Sequence, residues 1–96
     1  MNVELVEVYR ERTNKFCLRK IYINPKHVVC MRYDETMKSR LNEGNLPNDL
    51  DTRQGFTKLY INRGQSGLDV TVVGEPTVIQ SKIDEVNRKD KTLLRG

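Results

Sequence analysis

An α+β domain is predicted for this chain: a small antiparallel β-meander of about five strands, with one C-terminal helix packed on the sheet. Three observations carry that expectation. Short runs rich in Val, Ile, Tyr and Phe recur between Val3 and Val73, divided by clusters of Gly, Pro, Asn and Asp. The last segment instead repeats its aliphatic residues at helical spacing. With 96 residues there is room for a single domain (1–96), burying roughly 60–70% of its unfolded surface. A two-lobed enzyme with an interdomain cleft is excluded.

The first strand is expected from Val3 to about Glu11, where the polar run Glu11-Arg12-Thr13-Asn14-Lys15 turns the chain. A second strand follows from Phe16 to Ile23. Alternation places Phe16, Leu18, Lys20 and Tyr22 on one face and Cys17, Arg19, Ile21 and Ile23 on the other. Asn24-Pro25 stops it, because proline has no N–H for a ladder. His27 to Tyr33 reads as a third strand, expected to close a hairpin with the second.

From Asp34 to Leu41 a turn or two of helix is consistent with Met37 and Leu41 at i, i+4. Loop formers then run through Asn42, Gly44, Asn45, Pro47, Asn48, Asp49 and Asp51. So long a weakly structured stretch is uncommon in a compact domain, and residues 34–55 are expected to be a long mobile loop. Regular patterning resumes with strands at Phe56–Asn62 and Leu68–Val73, joined by Arg63-Gly64-Gln65-Ser66-Gly67. Pro76 suits the first turn of the closing helix. Ile79, Ile83 and Val86 form its apolar stripe, widened by Val78, and residues 89–96 are polar enough to fray.

The composition is 36% hydrophobic, with 17 Lys+Arg against 13 Asp+Glu and a formal charge of +4. That excess is not uniform. Arg10, Arg12, Lys15, Arg19, Lys20 and Lys26 crowd the first hairpin with Glu11 as the sole acid among them, whereas Asp34, Glu35, Glu43, Asp49 and Asp51 fall in the long loop. Two electrostatic sides are expected. No run approaches the roughly 20 apolar residues of a membrane span, and Met1-Asn2-Val3-Glu4 opens no signal-peptide pattern. A soluble, cytoplasmic protein with no membrane partner is the expectation.

An internal echo links Lys20-Ile21-Tyr22-Ile23-Asn24 with Lys58-Leu59-Tyr60-Ile61-Asn62. If the aliphatic face meets the helix, Lys20, Tyr22, Lys58 and Tyr60 project from the opposite face, with Arg19 and Lys26 at the rim. Rings there would stack bases and ammonium groups would neutralise phosphates. Phe16 and Phe56 share that side by parity and either extend the platform or form a second small core under the long loop.

Catalytic, metal and cofactor chemistry find no support. His27-x-x-Cys30 supplies at most part of a zinc set, and strand alternation turns the two side chains apart. The same geometry defeats a Cys–His nucleophilic pair. Gly64-x-x-Gly67 precedes no helix and so is no phosphate loop, and Asp49 and Asp51 lack a calcium-loop spacing. Cys17 and Cys30 lie in apolar stretches and are expected to be buried, reduced thiols. Because they flank one turn, a cross-strand pairing is the alternative.

The pattern Tyr22-x-Asn24-Pro25-x-x-Val28, followed by a strand pair and Val73-x-Glu75-x-x-x-Ile79-x-x-Lys82-Ile83, resembles the small flagellar FlbD/SwrD-like family and similar short bacteriophage-encoded proteins. The likeness spans about residues 21–83, and the stretch 34–55 exceeds the family's short connection. It implies a small sheet with a terminal helix, no active site, and an accessory or regulatory role. Two functions of different class follow. One is a non-enzymatic regulatory or inhibitory protein that binds a protein partner, a host protein if the chain is phage-encoded. Sheet edges at Val3–Tyr9 or Leu68–Val73 would receive the partner strand or a second copy of the chain. The alternative is RNA or single-stranded nucleic-acid binding through Arg19, Lys20, Tyr22, Lys26, Lys58 and Tyr60.

Overall fold

The computed structural model describes residues 1–95, and side chains as far as Lys89. Strands β1 (Val3–Arg10) and β2 (Phe16–Ile23) are followed by a 3-10 turn over Pro25–His27 and by β3 (Val28–Tyr33). Helix α1 (Glu35–Asn42) precedes β4 (Phe56–Asn62), β5 (Gly67–Val73) and the closing helix α2 (Pro76–Arg95). The frayed tail expected over residues 89–96 lies, apart from Lys89, outside the residues whose side chains are described. The α+β class, the antiparallel sheet and the C-terminal helix on it are as the sequence predicts.

The strand order is β2-β1-β5-β4-β3, with every neighbouring pair antiparallel. The expected β2–β3 hairpin is therefore not made, and the order departs from a simple meander. β2 is already paired along its whole length with β1, from Val3↔Ile23 to Arg10↔Phe16. The Asn24 side chain accepts from the Lys26 N–H at 3.0 Å, and the turn carries the chain to the far edge of the sheet instead of back along β2. An Asn-Pro stop looks the same in sequence whether a hairpin or a crossover follows. In a flat sheet β2 and β3 would lie about 19 Å apart. Fully extended, the link from Ile23 to Val28 reaches at most about 18 Å, and the 3-10 turn shortens it further. The sheet is thus forced to curl towards closure.

Alternation sends two sets of side chains to two cores. Val3, Leu5, Ile23, Leu59, Ile61, Val70 and Val72 face α2 and bury Ile79 and Ile83. Val86 is half-buried against this cluster, while Val78, expected in the stripe, is 47% exposed. α2 comes so close to the end of β5 that a Cβ on Gly74 would sit 3.1 Å from Ile79 Cδ1, and Gly74 also has a φ of 122°. Only glycine meets both demands without strain.

The other face carries Val8, Phe16 and Phe56. They are covered by residues 34–55, where the expected turn or two of helix is α1 and the segment adds four apolar anchors. Leu41 and Leu46 are buried there, with Met37 and Leu50 packed beside them. Asp34 caps α1, its carboxylate accepting from the Met37 N–H at 2.9 Å and from the buried Thr71 hydroxyl at 2.7 Å. Lys38 Nζ donates to the carbonyls of Thr52 and Gln54 at 2.7 and 2.8 Å, tying down the return of the chain to β4. Of the two roles the sequence leaves open for Phe16 and Phe56, the second core under this segment is the one they take.

Asp34→Ala removes a cap and strands the Thr71 hydroxyl, so it is expected to cost about 2–3 kcal/mol in urea unfolding. Thr71→Val is expected to cost less, with coupling between the two sites in a double-mutant cycle. A loss below about 0.5 kcal/mol for Asp34→Ala would show that this contact does not hold the cover in place.

Candidate functional site

The six residues expected to form a platform do not come together. Lys20, Tyr22, Lys58 and Tyr60 do share the face opposite α2, because Ile21, Leu59 and Ile61 turn the other way. Yet β1 and β5 lie between the two pairs. Leu18, Val8, Thr71, Lys58 and Arg32 form one row across the strands. From that row Tyr22 lies four residues one way along β2, and Tyr60 two residues the opposite way along β4. The cover over Val8, Phe16 and Phe56 occupies the space between. The Phe pair is a second core, and the continuous stacking surface is absent.

Arg19 projects on the α2 side of β2. Its Nε donates to Glu7 Oε1 at 2.8 Å and its guanidinium lies 4.1 Å from the Tyr9 ring centre. The hydrogen bond to Glu7 and that residue's charge hold the guanidinium above its ordinary pKa. Lys20 Nζ sits 3.4 Å from the Glu4 carboxylate. Lys26 is exposed in the 3-10 turn. The echo in sequence therefore has unequal halves: Lys20 is ion-paired, whereas Lys58 has no ion pair among the described residues.

Two groupings were not visible in the sequence. Arg32 stands directly opposite Lys58 on β3, and with Tyr33, Glu35 and Tyr60 they line a cleft of about 250 Å³ at the start of α1. Arg10 and Arg40 both lie over the Phe16 ring, at 4.7 and 4.9 Å from its centre. Finding either requires knowing that β3 pairs with β4 and that α1 folds back over β2.

The strands expected at the sheet edges, β1 and β5, are interior, because each has a neighbour on both sides. The free edges are β2 and β3. In β2 the middle positions are charged and ion-paired, Arg19 with Glu7 and Lys20 with Glu4. That is a blunted edge. The outer strand β3 presents Val29, Cys30 and Met31 instead. A bulge between Val28 and Cys30 pushes Val29 out to 68% exposure. On one side of Val29 is a hollow of about 550 Å³ with Tyr60, Ile61 and Leu68. On the other is one of about 290 Å³ with Pro25, Met31 and Ile83.

Both cysteines are free, but neither is fully buried: Cys17 is half-buried and Cys30 exposed. Cross-strand pairing is ruled out because β2 and β3 occupy opposite edges. The bulge accounts for Cys30, since one extra residue changes which side chains face inward. His27 lies in the 3-10 turn, and among the described residues no three His, Cys, Asp or Glu side chains gather as a metal set would. No helix among the described residues is long and apolar enough to cross a membrane. Comparison with protein-family models, with curated proteins and with solved structures finds no match to this chain.

The two thiols should differ in reactivity. A hydrogen bond to Glu11, with partial burial, pushes the Cys17 thiol above its ordinary pKa and leaves less thiolate at a given pH. Iodoacetamide at pH 8 is expected to label Cys30 first, as read by mass spectrometry of digests, and Glu11→Gln is expected to speed Cys17. Faster labelling of Cys17 in the wild type would contradict this arrangement.

Proposed function

We propose that the protein is a small, non-enzymatic regulatory or inhibitory module that binds a protein partner along the free edge of β3. The observation that carries this reading is the contrast between the two edges. β2 is guarded by charge, whereas β3 offers a bulged apolar stretch with a hollow on each side of Val29. An extended partner segment would find backbone groups to pair with and two recesses for alternate side chains. The resemblance of Tyr22-x-Asn24-Pro25 and Val73-x-Glu75 to the FlbD/SwrD-like and phage-encoded proteins points the same way, to an accessory role. Within this proposal the partner is a host protein if the chain is phage-encoded, and the site of action is the cytoplasm. Self-association would use the same β3 edge, not β1 or β5.

Co-purification from cell extract, with and without nuclease, tests the reading. The wild type is expected to retain a defined protein after nuclease treatment, and Val29→Lys to lose it while keeping its circular dichroism. Retention of the same protein by Val29→Lys, or its loss on nuclease treatment, would remove the edge-strand proposal.

A further inference from the structure

The pair of guanidinium groups on Phe16 is the least explained polar feature of the molecule. Arg10 reaches the ring from the facing position on β1, and Arg40 from α1 above it. Phe16 itself is only 9% exposed, so its ring is a fixed shelf in the second core. Two cations on one ring repel each other, and neither the Arg10 nor the Arg40 guanidinium has an acidic or hydrogen-bonding partner among the described residues. The other arginine of the cover, Arg53, is satisfied by Asp51 at 3.0 Å. Stacking uses the flat face of a guanidinium and leaves its five N–H donors free at the edge, where they match a phosphate or carboxylate oxygen pair.

The surroundings extend the positive charge. Arg12 and Lys15 belong to the β1–β2 turn, which is held by backbone bonds from the Glu11 N–H to Lys15 O and from the Asn14 N–H to Glu11 O, both 2.9 Å. The acid in this turn, Glu11, is turned to the Cys17 thiol. Asp49 lies across a groove of about 610 Å³ that Lys15, Phe16 and Leu18 also line. Cations from β1, the turn and α1 therefore converge at one end of the sheet.

We infer that Arg10 and Arg40, stacked on Phe16 and flanked by Arg12 and Lys15, form a site for the sugar-phosphate backbone of a nucleic acid. The chemistry is phosphate contact without base stacking, since the ring of this cluster, Phe16, is buried and already covered by the two guanidinium groups. A backbone carries oxyanions in series, which suits four cations spread over three elements better than one isolated carboxylate would. This site is separate from the β3 edge, so either can fail without the other.

The test is fluorescence anisotropy of the full chain with a labelled single-stranded oligonucleotide, titrated across salt, beside a polyglutamate peptide of matched charge. Arg10→Gln/Arg40→Gln is expected to weaken oligonucleotide binding about tenfold at low salt and to flatten the log–log salt slope by about 1.4, two phosphates' worth. Arg40→Lys, which keeps the charge but loses the planar stack, is expected to fall between. Arg63→Gln/Lys82→Gln removes the same charge elsewhere and is expected to leave binding unchanged. Circular dichroism confirms that each variant is folded. The site is overturned if the Arg10/Arg40 variant keeps wild-type affinity and slope, or if the Arg63/Lys82 control weakens binding equally. Equal binding of polyglutamate overturns the nucleic-acid assignment in favour of an acidic protein.

Discussion

The Asp34 carboxylate is the point on which the second half of the architecture depends. It ends β3, caps α1 and accepts a buried hydrogen bond from Thr71 on the interior strand β5. Its own N–H donates to Phe56 O, so the helix start is stitched to β4 as well. A buried carboxylate is costly unless its oxygens are occupied, and here the Met37 N–H and the Thr71 hydroxyl occupy them. Once α1 is held there, Met37 and Leu41 reach the Phe16–Phe56 core and Arg40 reaches the Phe16 ring.

That single placement decides the surfaces. The cover fills the middle of the sheet face and separates Lys20 and Tyr22 from Lys58 and Tyr60. It also leaves β3 as an open edge, since α1 departs from the end of β3 towards the opposite side of the sheet. What remains for partners is a pair of distinct regions: an apolar bulged edge around Val29, and a cationic end around Arg10 and Arg40. Their chemistries differ, one offering backbone pairing and small recesses, the other oriented N–H donors.

Much of this was legible in local sequence. The limits of β2 and β4 follow from alternation alone, and α2 from its i, i+4, i+7 stripe opened by Pro76. The side of each strand that meets α2 also follows from parity. Strand order was not legible, because pairing is a long-range choice: Asn24-Pro25 announces a stop but not a destination. The exposure of Cys30 was hidden for a related reason, since the bulge that turns it out exists only against β4. Val78 shows the reverse limit, an apolar residue at helical spacing for which no sheet surface is left.

The uneven charge along the chain is likewise half local and half tertiary. Arg10, Arg12, Lys15, Arg19, Lys20 and Lys26 are neighbours in sequence, but the fold spends Arg19 on Glu7 and Lys20 on Glu4 and sends Lys26 to the far turn. Arg40, from the segment that reads as acidic, joins Arg10 instead. By itself, then, the sequence determined the elements, their apolar faces and the α+β class, because helix and strand periodicities are properties of nearest neighbours. Only the tertiary structure decided which edges stay open and which cations stay unpaired, because both depend on residues brought together by the curl of the sheet and the cap at Asp34.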